Sequence, residues 1–313
     1  MSVVHSRVSV LVALLAFASP SARVGYAAEP STTPLASPAA SVPVHAPRGT
    51  VDVGSTGANG VFNPTSNVTI DLATQGTYDP QRWMVIFHYQ SVNIPSNVTV
   101  NFTNHPSRAP VVWLVQGNVT IAGSVRLDGA FGHEGHQPPR YAEPGPGGFR
   151  GGRGSLDGLE DDPSPGLGPG GGFRNLGGTN AGGGHGGYST PGAVGWNSGG
   201  AGGSAYGDHS VKQLVGGSGG AGGRHVANGA DVSGGGAGGG AILIAANGTI
   251  TVTNTGLITA YGGRWGGGQS SNGIGGYGSG GTIKLVADSV LLQRGGNGAR
   301  LNALPWDPGT GAK

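Results

Sequence analysis

The chain has 313 residues, of which 68 are glycine and 21 are proline, and its formal net charge is only +2. A glycine share about three times the usual ~7 per cent, together with only 10% charged residues, excludes a charge-expanded disordered chain, a coiled coil and a nucleic-acid-binding protein. The chain has no cysteine, which excludes disulfides, a cysteine nucleophile, thiolate metal sites and a lipoprotein anchor.

Residues 1–28 have the pattern of a secretory signal peptide. A polar start with His5 and Arg7 precedes the apolar stretch Val8 to Ala18, and small residues follow. A membrane anchor is the alternative, but so short an apolar stretch does not cross a bilayer core that needs about 20 residues. The sequence therefore predicts export, with no transmembrane helix in the mature chain. Residues 29–50 are rich in Pro, Ala and Ser and are predicted to be an extended linker.

From Val51 onward, short β-type runs alternate with turn residues. The same succession of apolar strand, polar break, second strand, glycine corner and third strand recurs in residues 111–130, 241–261 and 282–304. A unit of about 20 residues with sharp corners is typical of a β-solenoid, whose stacked coils share one inward column. We predict an all-β chain that forms a parallel β-helix, taken as right-handed, with coils over 51–130 and 241–304 and a tail over 305–313. An antiparallel sandwich of short strands is the alternative.

Asn67, Asn97, Asn118 and Asn247 each precede a threonine by two positions. Because asparagine tolerates a left-handed backbone, we expect these residues at corners between strands. Their regular placement favours such corner and ladder roles over glycosylation.

Residues 131–240 form a glycine-rich insert with Gly-Gly-X triplets, as in Gly216 to Gly223. A period of three matches the extended helix with three residues per turn, which has no internal hydrogen bonds. Its amides need neighbouring chains or water, so we predict polyglycine II-type helices packed on the solenoid. The alternative is a flexible loop, because glycine loses more conformational entropy on ordering than other residues.

Four blocks of the chain, 57–72, 78–123, 234–252 and 278–290, resemble a group of exported, glycine-rich bacterial proteins. Members of that group look like parallel β-solenoids interrupted by glycine-rich segments, and the similarity covers nearly all of residues 51–304. The resemblance implies architecture and export, and it implies no catalytic residues.

The densest acidic cluster is a candidate calcium site, because calcium prefers carboxylate and carbonyl oxygens. It comprises Asp157, Glu160, Asp161 and Asp162. A solvated run of charges in a loop is the alternative. His133 and His136 form a bare His-x-x-His pair, but Gln137 stands where a zinc-protease helix needs its second histidine.

Arginine and aromatic residues accompany one another in the glycine-rich insert. As candidates for binding an acidic polysaccharide we single out Arg150, Arg174, Arg224, Tyr188 and Trp196. Arginine holds carboxylate and sulfate groups with two parallel hydrogen bonds. The alternative is that the aromatic rings pack over glycine and that the arginines reflect composition alone.

These observations predict a secreted, non-enzymatic protein of the cell surface or extracellular matrix, with a structural or adhesive role. Its expected partners are polysaccharide, matrix components or further copies of itself, with no nucleic acid and no cofactor other than calcium. The alternative is a polysaccharide lyase or glycoside hydrolase on the same β-helix, since many β-solenoids act on polysaccharides. The acids to consider first would be Asp71, Asp128 and Asp288.

Overall fold

The structure is a computed structural model that describes residues 51–133, 141–155, 162–175, 180–181, 183–184, 186–197, 199–207, 210–225, 232–266, 273–294 and 298–305. The predicted signal peptide and linker lie outside these residues. Seventeen strands and no helix occur in the described part of the chain, which confirms the predicted all-β class there. Within the same ranges, no helix has the length and apolar character needed to cross a membrane.

The strands in chain order are β1 (Val61–Phe62), β2 (Val68–Asp71), β3 (Thr77–Asp79), β4 (Met84–Tyr89), β5 (Ser91–Ile94), β6 (Thr99–Thr103), β7 (Val111–Val115), β8 (Val119–Ile121), β9 (Ser124–Arg126), β10 (Asn180–Ala181), β11 (Arg224–His225), β12 (Ala241–Ala246), β13 (Thr249–Val252), β14 (Leu257–Thr259), β15 (Thr282–Val286), β16 (Ser289–Leu292) and β17 (Arg300–Asn302).

Three five-stranded sheets contain all of these strands except β10 and β11, which pair with each other. Sheet A has the order β15-β12-β7-β4-β3, sheet B the order β1-β5-β8-β13-β16, and sheet C the order β17-β14-β9-β6-β2. Neighbouring strands in these sheets run parallel, apart from the antiparallel pair of β3 and β4. Parallel pairing disagrees with the antiparallel sandwich considered as the alternative.

From β4 onward the chain visits sheets A, B and C in turn, and we call each such passage a round. The four rounds are β4-β5-β6, β7-β8-β9, β12-β13-β14 and β15-β16-β17. The second, third and fourth rounds coincide with the three repeat units seen in the sequence. The long glycine-rich connections, 127–240 and 260–281, both leave after a strand of sheet C and return to a strand of sheet A.

Apolar residues at equivalent positions of successive rounds form inward columns. The columns are Phe87, Trp113, Ile244 and Leu285 in sheet A, Ile94, Ile121 and Val252 in sheet B, and Val100, Val125, Ile258 and Leu301 in sheet C. Nearly all of these side chains belong to one hydrophobic cluster. Burying one Val, Leu or Ile contributes roughly 1.5–3 kcal/mol, so these columns are the main source of stability for the sheets.

The left-handed backbone expected at the four corner asparagines is wrong. In the described part of the chain, positive φ at non-glycine residues occurs at Trp83, Arg108, Asn197 and Val211. Two of the corner asparagines instead use their side chains: Asn67 joins the segment before β2 to the first round, and Asn118 joins the second round to the third. Asn67 Oδ1 accepts a hydrogen bond from the Thr99 amide, and Asn118 Oδ1 accepts one from the Thr249 amide, each at 2.8 Å. The ladder role therefore rests on the side-chain oxygen and not on the backbone angle.

Residues 51–57 form a strap that crosses the connections between sheets A and B. Its bonds to the rounds run from Val51 N to Asp288 Oδ1 (2.9 Å), from Val53 N to Asn247 Oδ1 (2.8 Å), from Gln116 Nε2 to Ser55 O (3.2 Å) and from Ser55 Oγ to Tyr89 O (3.1 Å). The strap thus contacts the fourth, third, second and first rounds in succession.

The glycine-rich connections form a second region, which we call the glycine layer: residues 141–155, 162–175, 183–184, 186–197, 199–207, 215–223, 232–240, 260–266 and 273–281. Segment 216–223 shows how these segments are joined. Amides three positions apart donate to the same neighbouring segment. Gly217, Gly220 and Gly223 donate to the carbonyl oxygens of Gly239, Gly236 and Ser233, at 2.8–3.0 Å. Gly219 and Gly222 donate to those of Leu167 and Ser164 on another segment, at 2.9 and 3.0 Å. Backbone amides are therefore satisfied between segments and not within them.

Close approach of the backbones explains why these segments are made of glycine. A Cβ atom on Gly222 would lie 1.8 Å from the carbonyl oxygen of Arg153, and one on Gly184 would lie 1.9 Å from that of Ala201. Neither approach leaves room for a methyl group, so the lack of a side chain is a packing requirement at these positions.

Candidate functional site

Two of the predicted carbohydrate-binding arginines are held by neighbouring acids. The Arg150 guanidinium pairs with the Glu143 carboxylate, to which its Nε donates a hydrogen bond of 2.6 Å. Arg174 lies 3.9 Å from the Asp162 carboxylate and donates to the Pro163 carbonyl oxygen at 3.2 Å. Ion pairs this exposed contribute little stability, but they partly neutralise the charge that each arginine presents.

Tyr188 and Arg224 are half-buried and contact other protein groups. The Tyr188 hydroxyl forms a hydrogen bond with the Thr282 hydroxyl and donates to the Val215 carbonyl oxygen at 3.3 Å. Its ring meets that of Tyr206 edge to face, with 5.0 Å between centroids. Tyr188 therefore fastens the glycine layer to sheet A, while Arg224 begins strand β11.

Trp196, the remaining predicted residue, lies at an open cleft on the glycine layer. The cleft has a volume of about 390 Å³ and is lined by Val194, Trp196, Trp265, Ile274, Gly275 and Tyr277. The Trp196 side chain is 51% exposed, although an indole of this size is normally covered for most of its area. The other four predicted residues are not among these lining residues.

Glycine amides fix the three segments that supply the cleft. Val194 and Trp196 lie in a loop closed by bonds from Gly192 to the Gly203 carbonyl and from Gly195 to the Gly200 carbonyl, each 2.8 Å. The segment with Trp265 is anchored by Gly263 and Gly266, which donate to Ala237 (2.7 Å) and Gly234 (3.0 Å). The segment with Ile274 and Tyr277 is anchored by Gly276, which donates to Ala221 at 2.7 Å. Large apolar side chains thus stand on a framework of backbone bonds.

An arginine sits at the same place. The Arg264 guanidinium carbon lies over the Trp265 ring, 4.9 Å from its centroid, and 5.9 Å from the centroid of Phe131. Both distances fall within the ~6 Å range of cation–π attraction. Among the residues that the structure describes, no carboxylate forms an ion pair with Arg264. Aromatic surface and positive charge therefore coincide at Trp265.

Arg264 and Trp265 were not among the predicted residues, because they lie outside residues 131–240, to which all the predicted carbohydrate-binding residues belong. The signal was present in the run Gly262-Gly263-Arg264-Trp265-Gly266, which interleaves arginine and an aromatic with glycine just as the insert does. That run comes after strand β14, and only the folded chain brings it to Trp196.

The three acids considered for hydrolysis each accept hydrogen bonds that join parts of the fold. Asp128 accepts from the Tyr261 amide (2.9 Å) and the Thr259 hydroxyl (3.0 Å). Burial raises the pKa of Asp128, and these two hydrogen bonds and the charge of Arg126 oppose the rise. The pKa of Asp71 is lowered, chiefly by the hydroxyl of Thr103, which donates at 2.8 Å.

Of the predicted calcium ligands, Asp157, Glu160 and Asp161 lie outside the described residues, as does His136 of the His-x-x-His pair. Asp162 is described, and its carboxylate faces Arg174. In the ranges that the structure covers, no group of three or more His, Asp or Glu side chains is placed to hold a metal ion. The predicted calcium site therefore stays a prediction.

Comparisons with protein-family models, with curated proteins and with solved structures find no match for this chain.

Proposed function

We propose that sheets A, B and C are the three faces of a parallel β-solenoid, with one round per coil. The cyclic order of the strands and the in-register inward columns support this architecture. A right-handed path follows from the general preference of crossovers between parallel strands. The period of three in the amide bonds of segment 216–223 supports polyglycine II-type helices in the glycine layer.

On this frame we propose a structural or adhesive protein, exported to the cell surface or extracellular matrix, that contacts polysaccharide. Export is supported by the signal-peptide pattern of residues 1–28 and by the resemblance to exported glycine-rich proteins. The observation that carries the contact with polysaccharide is the open cleft between Trp196 and Trp265.

The cleft suits a sugar ring because of its mixture of surfaces. A pyranose presents apolar C–H faces and a hydroxyl-bearing edge, and an indole presents a flat apolar face with one N–H donor at its rim. Clefts that bind small ligands combine apolar walls with a few polar groups in this manner. An open cleft with two tryptophans therefore fits one or two units of a longer chain that continues past it.

The lyase or hydrolase alternative finds less support. Asp71, Asp128 and Asp288 all serve as hydrogen-bond acceptors for the backbone or for hydroxyls of the fold. None of the three lines the aromatic cleft. A catalytic carboxylate would have to be near the bound sugar, so the residues of the cleft favour binding without turnover.

A glycan array and pull-down on insoluble polysaccharides test the proposal, with the mature chain and two variants. We expect the wild type to be retained, Trp196→Ala to lose at least about tenfold in affinity, and Phe173→Ala to bind normally. Phe173 is the matched control because it is 54% exposed on the same layer but does not line the cleft. Lack of retention on every glycan would refute the proposal, and release of sugar products would favour the enzyme.

A further inference from the structure

We propose that the cleft selects sugars that carry an anionic group, a carboxylate or a sulfate ester, and that Arg264 recognises that group. This inference rests on the proposed binding of polysaccharide and specifies the class of sugar. Its basis is the position of Arg264 over Trp265, the residue that also lines the cleft.

Arg264 differs from the other arginines of the described chain whose contacts have been given. Arg150 pairs with Glu143, Arg174 with Asp162, and Arg82 with Asp79 at 3.7 Å. Arg264 contacts aromatic rings in place of a carboxylate. Its charge is therefore not cancelled by a described carboxylate, and it lies beside Trp265 at the edge of the cleft.

Stacking on an aromatic ring also suits the chemistry of anion capture. A guanidinium that lies over a ring uses its apolar face for that contact, while its N–H groups project from its edge. Those N–H groups match the two oxygens of a carboxylate or a sulfate, and two parallel charge-assisted hydrogen bonds form. Aromatic packing restricts the side chain, so less entropy is lost when the anion binds.

Adjacent residues bind the sugar ring and its charged group. A ring that occupies the cleft contacts Trp196 and Trp265, and an acidic substituent on that ring then comes next to the Arg264 guanidinium. A neutral sugar gains the stacking alone. We therefore expect affinity for an acidic sugar to exceed affinity for its neutral counterpart by about tenfold or more, the usual effect of hydrogen bonds to a charged group.

Three trisaccharide probes test the inference by titration calorimetry on the full mature chain. They are trigalacturonate, its methyl ester, which is neutral, and a sulfated galactose trisaccharide. We expect the methyl ester to bind about tenfold more weakly than the acid. The affinity for the acid should fall with added salt, whereas that for the ester should not. The relative affinities of the carboxylated and sulfated probes identify which anion the site prefers.

Variants at two arginines assign the effect to a residue. Arg264→Gln should reduce the affinity for trigalacturonate to that of the ester and leave the ester unaffected, and Arg264→Lys should retain part of the preference. Arg82→Gln is the matched control, since the Arg82 side chain is 72% exposed and belongs to the turn before β4. The comparison of acid and ester on the wild type needs no variant, so it decides whether the cleft prefers an anionic sugar even where a variant fails to fold.

The two proposals fail in different ways. Equal binding of the acid, the sulfated probe and the ester would overturn the anionic preference and leave polysaccharide binding intact. Preference for the acid that survives Arg264→Gln would overturn the role of Arg264. Binding of neutral glycans alone on the array would overturn the inference, and binding of no glycan would overturn the proposed function with it.

Discussion

The three sheets and the glycine layer are held in a fixed structure by opposite kinds of packing. In the sheets, large inward side chains such as Trp113 and Ile244 stand in columns and exclude water. In the glycine layer the buried residues are mainly glycine, with small companions such as Ala221 and Ser218, and order comes from amide bonds between segments. The sheets therefore depend on side-chain volume, and the glycine layer depends on its absence. The two regions should respond in opposite ways to a change of size.

Removing volume from the sheets should have the largest effect. Trp113 is fully buried between Phe87 and Ile244, so Trp113→Ala leaves a large cavity and should lower the free energy of unfolding by about 3–5 kcal/mol. Urea denaturation of the protein measures this loss.

A milder change at the same site sharpens this prediction. The indole N–H of Trp113 is buried with no hydrogen-bond partner among the described residues. Trp113→Phe removes that unpaired donor along with some volume, so its loss of stability should be well below that of Trp113→Ala. Equal losses for the two variants would contradict the importance of volume in this column.

Adding volume to the glycine layer should cause the second largest loss of stability. A Cβ on Gly222 would lie 1.8 Å from the Arg153 carbonyl oxygen, and the backbone bond from Gly222 to Ser164 resists any shift. Gly222→Ala should therefore lower the free energy of unfolding by about 3 kcal/mol, at the upper end of the usual cost of overpacking. Limited proteolysis should find new cleavage in the glycine layer before any in the sheets.

Gly234→Ala is the matched control for this substitution. The nearest atom to a Cβ on Gly234 is the Gly152 carbonyl oxygen at 3.0 Å, a contact that a shift of a few tenths of an ångström relieves. We expect its effect to be about 1 kcal/mol or less. If both variants were equally stable, glycine would be present for flexibility and not for close packing.

The contrast between the two regions also explains which parts of the fold could be predicted from the sequence. The sheets were predictable because a strand places alternate residues on one face, and Val, Ile and Leu recur at matching places in the three repeat units. In the glycine layer the local pattern gives the period of three but not the partners. Gly217, Gly220 and Gly223 look alike in sequence to Gly219 and Gly222, yet the two sets bond to different segments.

The local sequence likewise could not predict which residues meet at the cleft. Trp196 was identified because it lies within the insert, whereas Trp265 lies in a separate connection after β14. Both connections leave sheet C and return to sheet A, which brings them to one side of the molecule. Their meeting depends on the order of strands in the sheets, which no local sequence pattern predicts.

The strap joins the rounds along one edge and should contribute less to the free energy of unfolding than the packing of either region. Asn247→Ala removes the acceptor for the Val53 amide, and we expect a loss of about 1 kcal/mol, as for one hydrogen bond. Hydrogen exchange should show faster exchange at Val53 with little change in sheet B. Asn118→Ala is the comparison, because it removes the acceptor for Thr249 within the rounds and should affect exchange in strand β13 instead.

The smallest expected effect is the pH dependence that arises from Asp128. Burial raises its pKa above the ordinary value of 3.8. The folded chain therefore holds the proton more tightly than the unfolded chain, and stability falls as pH rises from about the ordinary value through the raised one. Asp128→Asn should remove this fall, since its amide oxygen can still accept from Tyr261 and its amide nitrogen can donate to the Thr259 hydroxyl.

Asp71 supplies the control of opposite sign. Hydrogen bonds from Thr103, the Ala73 amide and Thr74 lower its pKa, so its contribution is present above pH 3.8 and is lost as pH falls through the lowered value. Thermal midpoints measured between pH 2 and pH 7 should therefore show Asp71→Asn less stable than the wild type above about pH 3.8, with the difference vanishing at the acidic end. Asp128→Asn should instead gain stability relative to the wild type as pH rises above 3.8. An unchanged pH profile for Asp128→Asn would mean that the hydrogen bonds from Tyr261 and Thr259, together with the charge of Arg126, fully offset the burial of this carboxylate. The junction between sheet C and the glycine layer would then tolerate a charge as well as the end of strand β2 does at Asp71.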